Sequence, residues 1–299
     1  MHPLVLRACA LILLVLTPLC SQLAAARDLD EIRQDGVLRH LGIPYANFVT
    51  GAGDGLDVEL MQGFARHLGL RYEFVATSWR DVFGDLTGVH AKRNGADAER
   101  FGTTPIRGDL VANGMTILGW RKQVVAFSQP TFPSGVWLIA RAESPLRPIA
   151  PTGLLDSDIR ETKGRLEGIS VLALASTCLD PGLYHLEATS AEVRLAPKER
   201  QLNEMIPALL NKDADTTLLD VPDALIALER WPGEIKVLGP ISEKQEMAVA
   251  FRPESSQLRQ AFNDYLVAIK QDGSYRRLVQ KYYPAVFDYF PDFFRPDTI

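Results

Sequence analysis

Strand-like and helix-like segments alternate along most of the chain, and this alternation limits the possible folds more than any other feature. Segments 37–43 and 71–77 have the pattern of strands, and 78–86 opens a second helix with Ser78 as a candidate N-cap. The order strand, helix, strand, helix, strand predicts an α/β domain with a largely parallel sheet. The first helix ends at Gly69, and its apolar residues share one face: Leu60, Met61, Phe64, Ala65 and Leu68.

A second series of the same kind begins at 136–141. The segment 245–253 predicts one more strand, and the last helical stretch is broken at Gly273. Two α/β series in one chain predict two lobes, with a ligand cleft between them. Within the second series, strand patterns occupy 168–176, 214–220 and 234–240, and helix patterns occupy 201–213 and 221–231.

The first 26 residues have the features of an export signal. Arg7 precedes an apolar run at 8–19, and small residues at 24–26 suit a signal peptidase. The apolar run is shorter than the roughly 20 residues of a membrane span, so we expect cleavage, with an anchored form as the alternative. Lipidation at Cys20 is disfavoured because a leucine precedes it. Removal of residues 1–26 leaves Cys178 as the single cysteine, so the exported fold must depend on its core and not on a disulfide.

Composition and motifs exclude several classes of function. The formal net charge is −5, and the absence of basic tracts argues against nucleic acid or anionic lipid as a partner. No later segment approaches 18 apolar residues, so we expect a soluble mature protein. The sequence contains no phosphate-binding or nucleophile motif, which predicts no cofactor. We also expect no metal, since none of four histidines has ligand spacing: His40, His67, His90 and His185.

The segment 114–130, "GMTILGWRKQVVAFSQP", contains the most informative polar residues. Arg121 follows a predicted strand end, and Thr116 precedes it by five residues. A guanidinium fork with a hydroxyl and free backbone N–H groups is what a small carboxylate needs. A surface ion pair is the alternative, because it is the commonest role of a lone arginine.

The chain resembles the bacterial periplasmic solute-binding proteins of family 3, the polar amino-acid receptors of ABC importers. Five segments in the right order carry the resemblance. The most specific is "GDLVANGMTILGWRKQVVAFSQP", which is similar to the family's Met-Thr-Ile-Thr-x-x-Arg signature followed by Phe-Ser-x-Pro. The others are "GVLRHLGIPYANF", "GLDVELMQGFARHLGLRYEFVATSWRDVFGDL", "LLDVPDA" and "LRQAFNDYLVAIKQDGSYRRLVQKYYP".

This resemblance implies a set of ligand-binding residues. Arg121 matches the arginine that clamps the ligand carboxylate, with Thr116 as the hydroxyl donor beside it. Asp220 matches the acceptor for the ligand amino group. Tyr45 and Trp79 match two aromatic walls. Asn113 and Gly114 match a strand end whose backbone faces the ligand, and Ser176 and Thr177 match a pair of donors in the second lobe.

Each of these residues has a structural alternative. The aromatic residues Tyr45 and Trp79 are compatible with the core, and Asp220 is compatible with the N-cap of the helix that Pro222 begins. The serine–threonine pair is compatible with a helix cap. Cys178 near a helix start is compatible either with a lowered pKa or with simple burial.

Some positions depart from the family pattern. The residues before the arginine are Leu118, Gly119 and Trp120, where the family has an acidic or polar residue, and Ser176 replaces a glycine. The first turn carries Asn47 in place of proline. Two stretches are longer than usual: 143–165, and the polar, Gly-rich 89–108, which predicts a surface loop.

The resemblance also implies a type II periplasmic binding protein fold, α/β and two-lobed, with a hinge of two crossing segments. We expect one lobe at 27–133 and 244–299 and the other at 134–243. The implied function is capture of a small carboxylate ligand, an amino acid above all, for an inner-membrane ABC permease in the periplasm, without catalysis. The alternatives are a sensor or regulatory binding module, and a periplasmic dehydratase of prephenate-like acids.

Overall fold

The computed structural model describes residues 27–197 and 200–295, so the predicted export signal lies outside the described residues. The strands are β1 Val37–Gly42, β2 Arg71–Ala76, β3 Val89–Asn94, β4 Asp97–Thr103, β5 Leu110–Val111, β6 Ala126–Phe127, β7 Phe132–Ser134, β8 Val136–Arg141, β9 Ser170–Ala173, β10 Glu192–Leu195, β11 Thr216–Asp220, β12 Ile235–Pro240, β13 Gln245–Met247 and β14 Ala250–Phe251.

The α-helices are α1 Leu29–Asp35, α2 Leu56–Leu68, α3 Val82–Thr87, α4 Leu155–Gly164, α5 Met205–Leu210, α6 Val221–Arg230, α7 Ser256–Gln271, α8 Ser274–Tyr282 and α9 Val286–Tyr289. Short 3₁₀ helices occupy Arg121–Gln123, Pro181–Leu183, Leu186–Ala188, Leu202–Glu204 and Pro291–Phe294. Within the described ranges, none of the helices combines the length and the apolar character needed to cross a membrane.

Two five-stranded sheets form the centres of two lobes. The first sheet has the order β2-β1-β5-β14-β6, and the second has the order β10-β9-β11-β8-β12. In each sheet three strands run parallel, and a fourth is antiparallel to its neighbours on both sides. The α/β class and the two lobes are therefore as predicted. The first sheet is also largely parallel, as predicted, since four of its strands run in one direction and β14 runs in the opposite one.

The antiparallel strands follow the points where the chain passes between lobes. The chain leaves the first sheet through β7 and returns through β13, and these two strands pair antiparallel with Gln245 opposite Ser134. The first strand after each passage, β8 or β14, is the antiparallel one. The two crossing segments therefore form a short ribbon at the hinge. The exact lobe boundaries, at 133/134 and 243/244, remain our proposal.

The single strand predicted at 245–253 is two strands in different sheets. Between β13 and β14, the N–H of Ala248 donates to the Met115 carbonyl at 3.0 Å, and the N–H of Val249 donates to Ser128 Oγ at 3.1 Å. Because these N–H groups bond to loops of the first lobe, β13 and β14 do not continue as one strand.

The segment 89–108, predicted as a surface loop, contains a β-hairpin. Strands β3 and β4 pair antiparallel from Val89 opposite Thr103 to Asn94 opposite Asp97. The turn contains Gly95 at φ +63°, directly after an asparagine, and this dipeptide is a hairpin signal. The long stretch at 143–165 likewise contains α4, which the sequence reading missed together with α1, β10 and α9.

Several local predictions were confirmed. Helix α2 buries its predicted face and ends at Gly69, which has φ +72° and caps the helix through its N–H. Gly273, at φ +75°, separates α7 from α8. Helix α3 begins at Val82, later than predicted, because Ser78 orders the preceding turn by accepting from the N–H of Asp81 at 3.2 Å.

Gly114 occupies a position that requires glycine. Its φ is +64°, and a Cβ there would lie 2.5 Å from the Phe48 ring. Its N–H donates to Asp57 Oδ2 at 2.7 Å, a bond that joins the loop after β5 to α2. Burial raises the pKa of Asp57 to about 7, and the Gly114 N–H partly opposes this shift.

We predict that Gly114→Ala destabilises the protein by about 2–4 kcal/mol, from the left-handed backbone and the clash with Phe48. Equilibrium urea unfolding measures this change. Gly119→Ala is the matched control, since a Cβ at exposed Gly119 meets nothing within 4 Å. Equal stability of the two variants would show that the loop after β5 relaxes without cost.

Candidate ligand-binding site

The carboxyl ends of parallel strands from both sheets meet at the boundary between the lobes. Tyr45 follows β1 and Trp79 follows β2, while Cys178 follows β9 and Asp220 ends β11. The Tyr45 hydroxyl donates to Asp220 Oδ2, so this contact joins the two lobes. Ligands of open α/β sheets bind beyond the carboxyl ends of strands, and the meeting point is therefore the candidate site.

Arg121 is the central cation of this site. It begins a 3₁₀ helix, and only 1 % of its surface is exposed. Its guanidinium carbon lies 5.4 Å from the Trp79 ring centroid and 5.5 Å from that of Trp120. Nη1 donates to the Thr116 carbonyl at 2.9 Å, and the Thr116 hydroxyl stays a predicted donor to the ligand. Two indole rings and one carbonyl thus stabilise a desolvated cation.

The Arg121 guanidinium keeps unused hydrogen-bonding capacity. Within 27–197 and 200–295, no carboxylate lies within 4.0 Å of it, and Nε has no hydrogen-bond partner. Burial lowers the pKa of Arg121, and the facing acidic groups, including Asp220, oppose that shift. An arginine stays protonated in proteins, so this one remains a buried charge available to an anion.

Asp220 is the facing carboxylate from the second lobe. Its Oδ2 accepts from Tyr45 and, at 3.5 Å, from Cys178 Sγ, while Oδ1 has no partner among the described residues. It stands at the N-cap position of α6, yet its side chain makes no capping hydrogen bond. Burial raises the pKa of Asp220 to about 6, and the bonds from Tyr45 and Cys178 partly oppose that shift.

Asp223, three residues further along, was not predicted as a site residue. Burial and the negative charge of Asp220 raise its pKa well above the usual range. Its Oδ2 has no partner among the residues described. Two carboxyl groups without a cation beside them therefore sit at the start of α6.

The predicted backbone donors already have partners within the protein. The N–H of Gly114 bonds Asp57, and the N–H of exposed Ser176, at φ +63°, donates to Asp180 Oδ2 at 2.8 Å. Thr177 Oγ1 donates to the Leu174 carbonyl and accepts from the Leu179 N–H, which is the bonding of a turn. These three residues shape the site through its loops.

Several buried polar side chains, Arg121 and Asp220 among them, carry atoms without a hydrogen-bond partner among the described residues. Asn113, fully buried, has no partner for either amide atom within the described part of the chain. Buried polar atoms are normally bonded, so the unpaired atoms of Arg121 and Asp220 are ones that a polar ligand can satisfy. The unpaired atoms include Arg121 Nε, Asp220 Oδ1, Trp120 Nε1 and Gln245 Oε1.

Sequence reasoning missed three further site residues. Trp120 supplies the second indole against Arg121, although the sequence identified it only as a difference from the family pattern. Cys178 is buried and bonds Asp220, and desolvation raises the pKa of its thiol well above the usual value. The Tyr184 hydroxyl donates to the Cys178 carbonyl and accepts from Gln245 Nε2 at 3.3 Å, which links the site to β13.

A cavity of about 230 Å³ lies beside this centre, on another side of Tyr45. Its walls come from the segment 44–50 of the first lobe and from the α5 and α6 region of the second. Asp223 and Arg230 are the charged residues in its lining.

The β3–β4 hairpin also joins the lobes. Arg93 Nη2 on β3 bonds Asp180 Oδ1 at 2.5 Å, with 16 % and 11 % of the two side chains exposed. Asp180 also accepts from the N–H groups of Ser176 and Gly182. One carboxylate therefore connects the hairpin with the loop after β9.

The site combines a cation from the first lobe with a carboxylate from the second. Both groups are buried, and aromatic side chains contact each of them: Trp79 and Trp120 at Arg121, and Tyr45 at Asp220. The described residues include no group of three or more His, Cys, Asp or Glu side chains placed to hold a metal ion.

A family profile decides the classification. Residues 102–285, more than half of the chain, match the profile of the bacterial extracellular solute-binding proteins, family 3. The chain belongs to this family. The match covers Arg121, Cys178 and Asp220, and it agrees with the resemblance in the segment 108–130.

Curated relatives fall into two groups. The membrane-bound lytic murein transglycosylase F of Desulfosudis oleivorans is 27% identical over 238 residues, which are 79% of this chain and 46% of that protein. That of Pseudomonas putida GB-1 is 26% identical, with coverage of 86% and 48%. The chain thus spans about half the length of these relatives. The L-cystine-binding protein TcyJ of Escherichia coli K12 is 23% identical, with coverage of 77% and 74%.

Solved structures share the fold. A mutant of ArgBP from T. maritima has a TM-score of 0.64 and 23% identity, and the match covers 85% of this chain and 98% of that one. The ancestral amino acid-binding protein AncCDT-1, described as a precursor of cyclohexadienyl dehydratase, has a TM-score of 0.65 and 22% identity with the same coverage. The predicted type II periplasmic binding protein fold is confirmed.

We predict that Arg93→Gln weakens the contact between lobes, because it removes a largely buried ion pair between the hairpin and Asp180. Small-angle scattering of ligand-free protein should show a larger radius of gyration. Lys92→Gln is the control, since exposed Lys92 pairs with Glu99 inside the hairpin at 3.1 Å. The same radius for both variants would contradict a role of this ion pair in lobe contact.

Proposed function

We propose that the protein is a periplasmic solute-binding protein that captures a small ligand bearing a carboxylate and an ammonium group, an amino acid above all. The observation that carries this proposal is Arg121, a fully buried guanidinium that two indoles support and that no described carboxylate neutralises. The ligand carboxylate would pair with Arg121, and its ammonium would pair with Asp220.

The geometry supports a two-step capture. Arg121, Trp79 and Tyr45 belong to the first lobe, which would bind the ligand first. Asp220 belongs to the second lobe and would contact the ligand only when the lobes close. A ligand that gains contacts on closure shifts the population towards the closed state. The hinge ribbon of β7 and β13 is the segment about which closure would occur.

Delivery to an inner-membrane ABC permease follows from this capture. Residues 1–26 would direct export and be cleaved, and the closed, loaded form would dock on the permease. Two similar proteins support an amino-acid ligand, since one is an L-cystine-binding protein and the other an amino acid-binding protein. We propose binding without catalysis, and incubation with prephenate without turnover would be the expected result.

We predict that Arg121→Ala lowers ligand affinity by at least about 100-fold, the loss of a charge-assisted, bidentate contact in a desolvated site. A thermal-shift screen of amino acids and small organic acids would identify the ligand, and calorimetry would then measure the affinity. The matched control is Lys122→Ala, which removes the adjacent, exposed cation. Undiminished affinity in Arg121→Ala would refute the clamp.

A second candidate is a regulatory binding module of the cell envelope. It is favoured by the transglycosylase relatives, in which the matched region is about half of the protein. In this case ligand capture would control a partner enzyme and not an importer.

Deletion of the gene separates the two roles. If the protein serves transport, uptake of the radiolabelled ligand should fall at least about tenfold, because a saturable importer depends on its receptor for capture at low concentration. The muropeptide profile should stay the same. Unchanged uptake together with an altered muropeptide profile would favour regulation.

A further inference from the structure

The β3–β4 hairpin reaches from the first lobe to the loop that follows β9 in the second. It begins beside α3, where the N–H of Thr104 donates to the Gly88 carbonyl at 3.0 Å. Its strands contain six and seven residues, so its tip lies about 20 Å from this base. A two-stranded hairpin is only marginally stable by itself in water. The tip therefore needs contacts with the rest of the protein to hold a fixed position.

Gln123 supplies such a contact in the first lobe. This exposed residue ends the 3₁₀ helix that Arg121 begins. Its side chain accepts from the N–H of Ala98 at 3.1 Å and donates to Asp97 Oδ1 at 3.1 Å, both on β4. Its carbonyl accepts from Nη2 of Arg100. One glutamine thus fixes the tip of the hairpin to the helix that carries the central cation of the site.

The other strand of the tip contacts the second lobe. Arg93 on β3 pairs with Asp180, and a Cβ at Gly182 would lie 2.6 Å from Arg93 Nη2, so the guanidinium lies directly against this backbone. Leu183, the next residue, packs on a core cluster of the first lobe that includes Ala91 of β3. An ion pair and apolar packing thus join the second lobe to this side of the first.

We propose that Gln123 positions Arg93 for its ion pair with Asp180, so that the hairpin acts as a latch that holds the two lobes together without a ligand. Arg93 lies directly opposite Ala98 in the hairpin. Loss of the Gln123 contact would therefore free both strands of the tip, and the ion pair would lose its fixed geometry.

The latch would regulate the proposed function, and its relevance to a ligand rests on that function. Arg121 is only 1 % exposed while the lobes are in contact, so a ligand could reach it only after the lobes separate. The fraction of molecules with separated lobes depends on the contacts that only the closed form makes. The ion pair of the hairpin with the second lobe is one of these contacts.

Small-angle scattering of ligand-free protein tests the latch. Gln123→Ala should increase the radius of gyration, as Arg93→Gln does, because the tip loses its anchor. The double variant Gln123→Glu/Asp97→Asn should keep the wild-type radius, since the hydrogen bond between the two side chains then runs in the opposite direction. Gln129→Ala is the matched control, because this exposed glutamine bonds Asn263 through its backbone N–H.

Hydrogen exchange and a second double variant show whether Gln123 acts through Arg93. In Gln123→Ala, the N–H of Ala98 should exchange at least about threefold faster, the effect of losing one hydrogen bond. In Gln123→Ala/Arg93→Gln, the radius of gyration should equal that of Arg93→Gln alone, since both changes act on the same contact. Thermal unfolding verifies that each variant is folded.

The outcomes separate the latch from the proposed function. If Gln123→Ala accelerates the exchange of Ala98 but leaves the radius unchanged, the latch is refuted, and if neither responds, the anchor at Gln123 is refuted. A larger radius in Gln123→Ala/Arg93→Gln than in Arg93→Gln would also overturn the proposal, because Gln123 would then act elsewhere. None of these measurements uses a ligand, so their failure leaves capture at Arg121 standing.

Discussion

The arrangement of the site depends on one costly condition, an arginine buried between two lobes without a carboxylate beside it. A bare guanidinium in a protein interior is unfavourable, and Arg121 is tolerated because two indoles, one carbonyl and the field of Asp220 replace part of its hydration. The same condition leaves Asp220 and Asp223 short of a cation. Opposite charges held apart in this way favour a ligand that can bridge them.

The backbone creates this separation through the direction of its strands. Parallel strands of both sheets end at the boundary between the lobes, and loops at these ends carry the charged and aromatic groups. The strand that follows each passage through the hinge runs the other way. Because the passages form a single ribbon of β7 and β13, motion about this ribbon would change the distance between Arg121 and Asp220 while each lobe stays intact.

Periodicity was sufficient to predict the two lobes and most elements, because these follow from local patterns. The places of Arg121 and Asp220 in the site came from the resemblance to the family. Hydrogen-bond partners were not predictable in this way. Gly114 and Ser176 carry the expected N–H groups, but Asp57, 57 residues from Gly114, and Asp180, four residues from Ser176, accept from them. The hairpin at β3–β4 was missed because both of its faces are largely polar, although the Asn–Gly turn signalled it.

The position of Cys178 protects its thiol from chemical reagents. Thiols in an oxidising compartment react as thiolates, and burial against Asp220 keeps this one protonated and covered. The group that Asp220 also bonds, Tyr45, belongs to the opposite lobe, so separation of the lobes would admit water and reagents to the sulfur. The rate at which Cys178 is alkylated would therefore measure how frequently the two lobes separate.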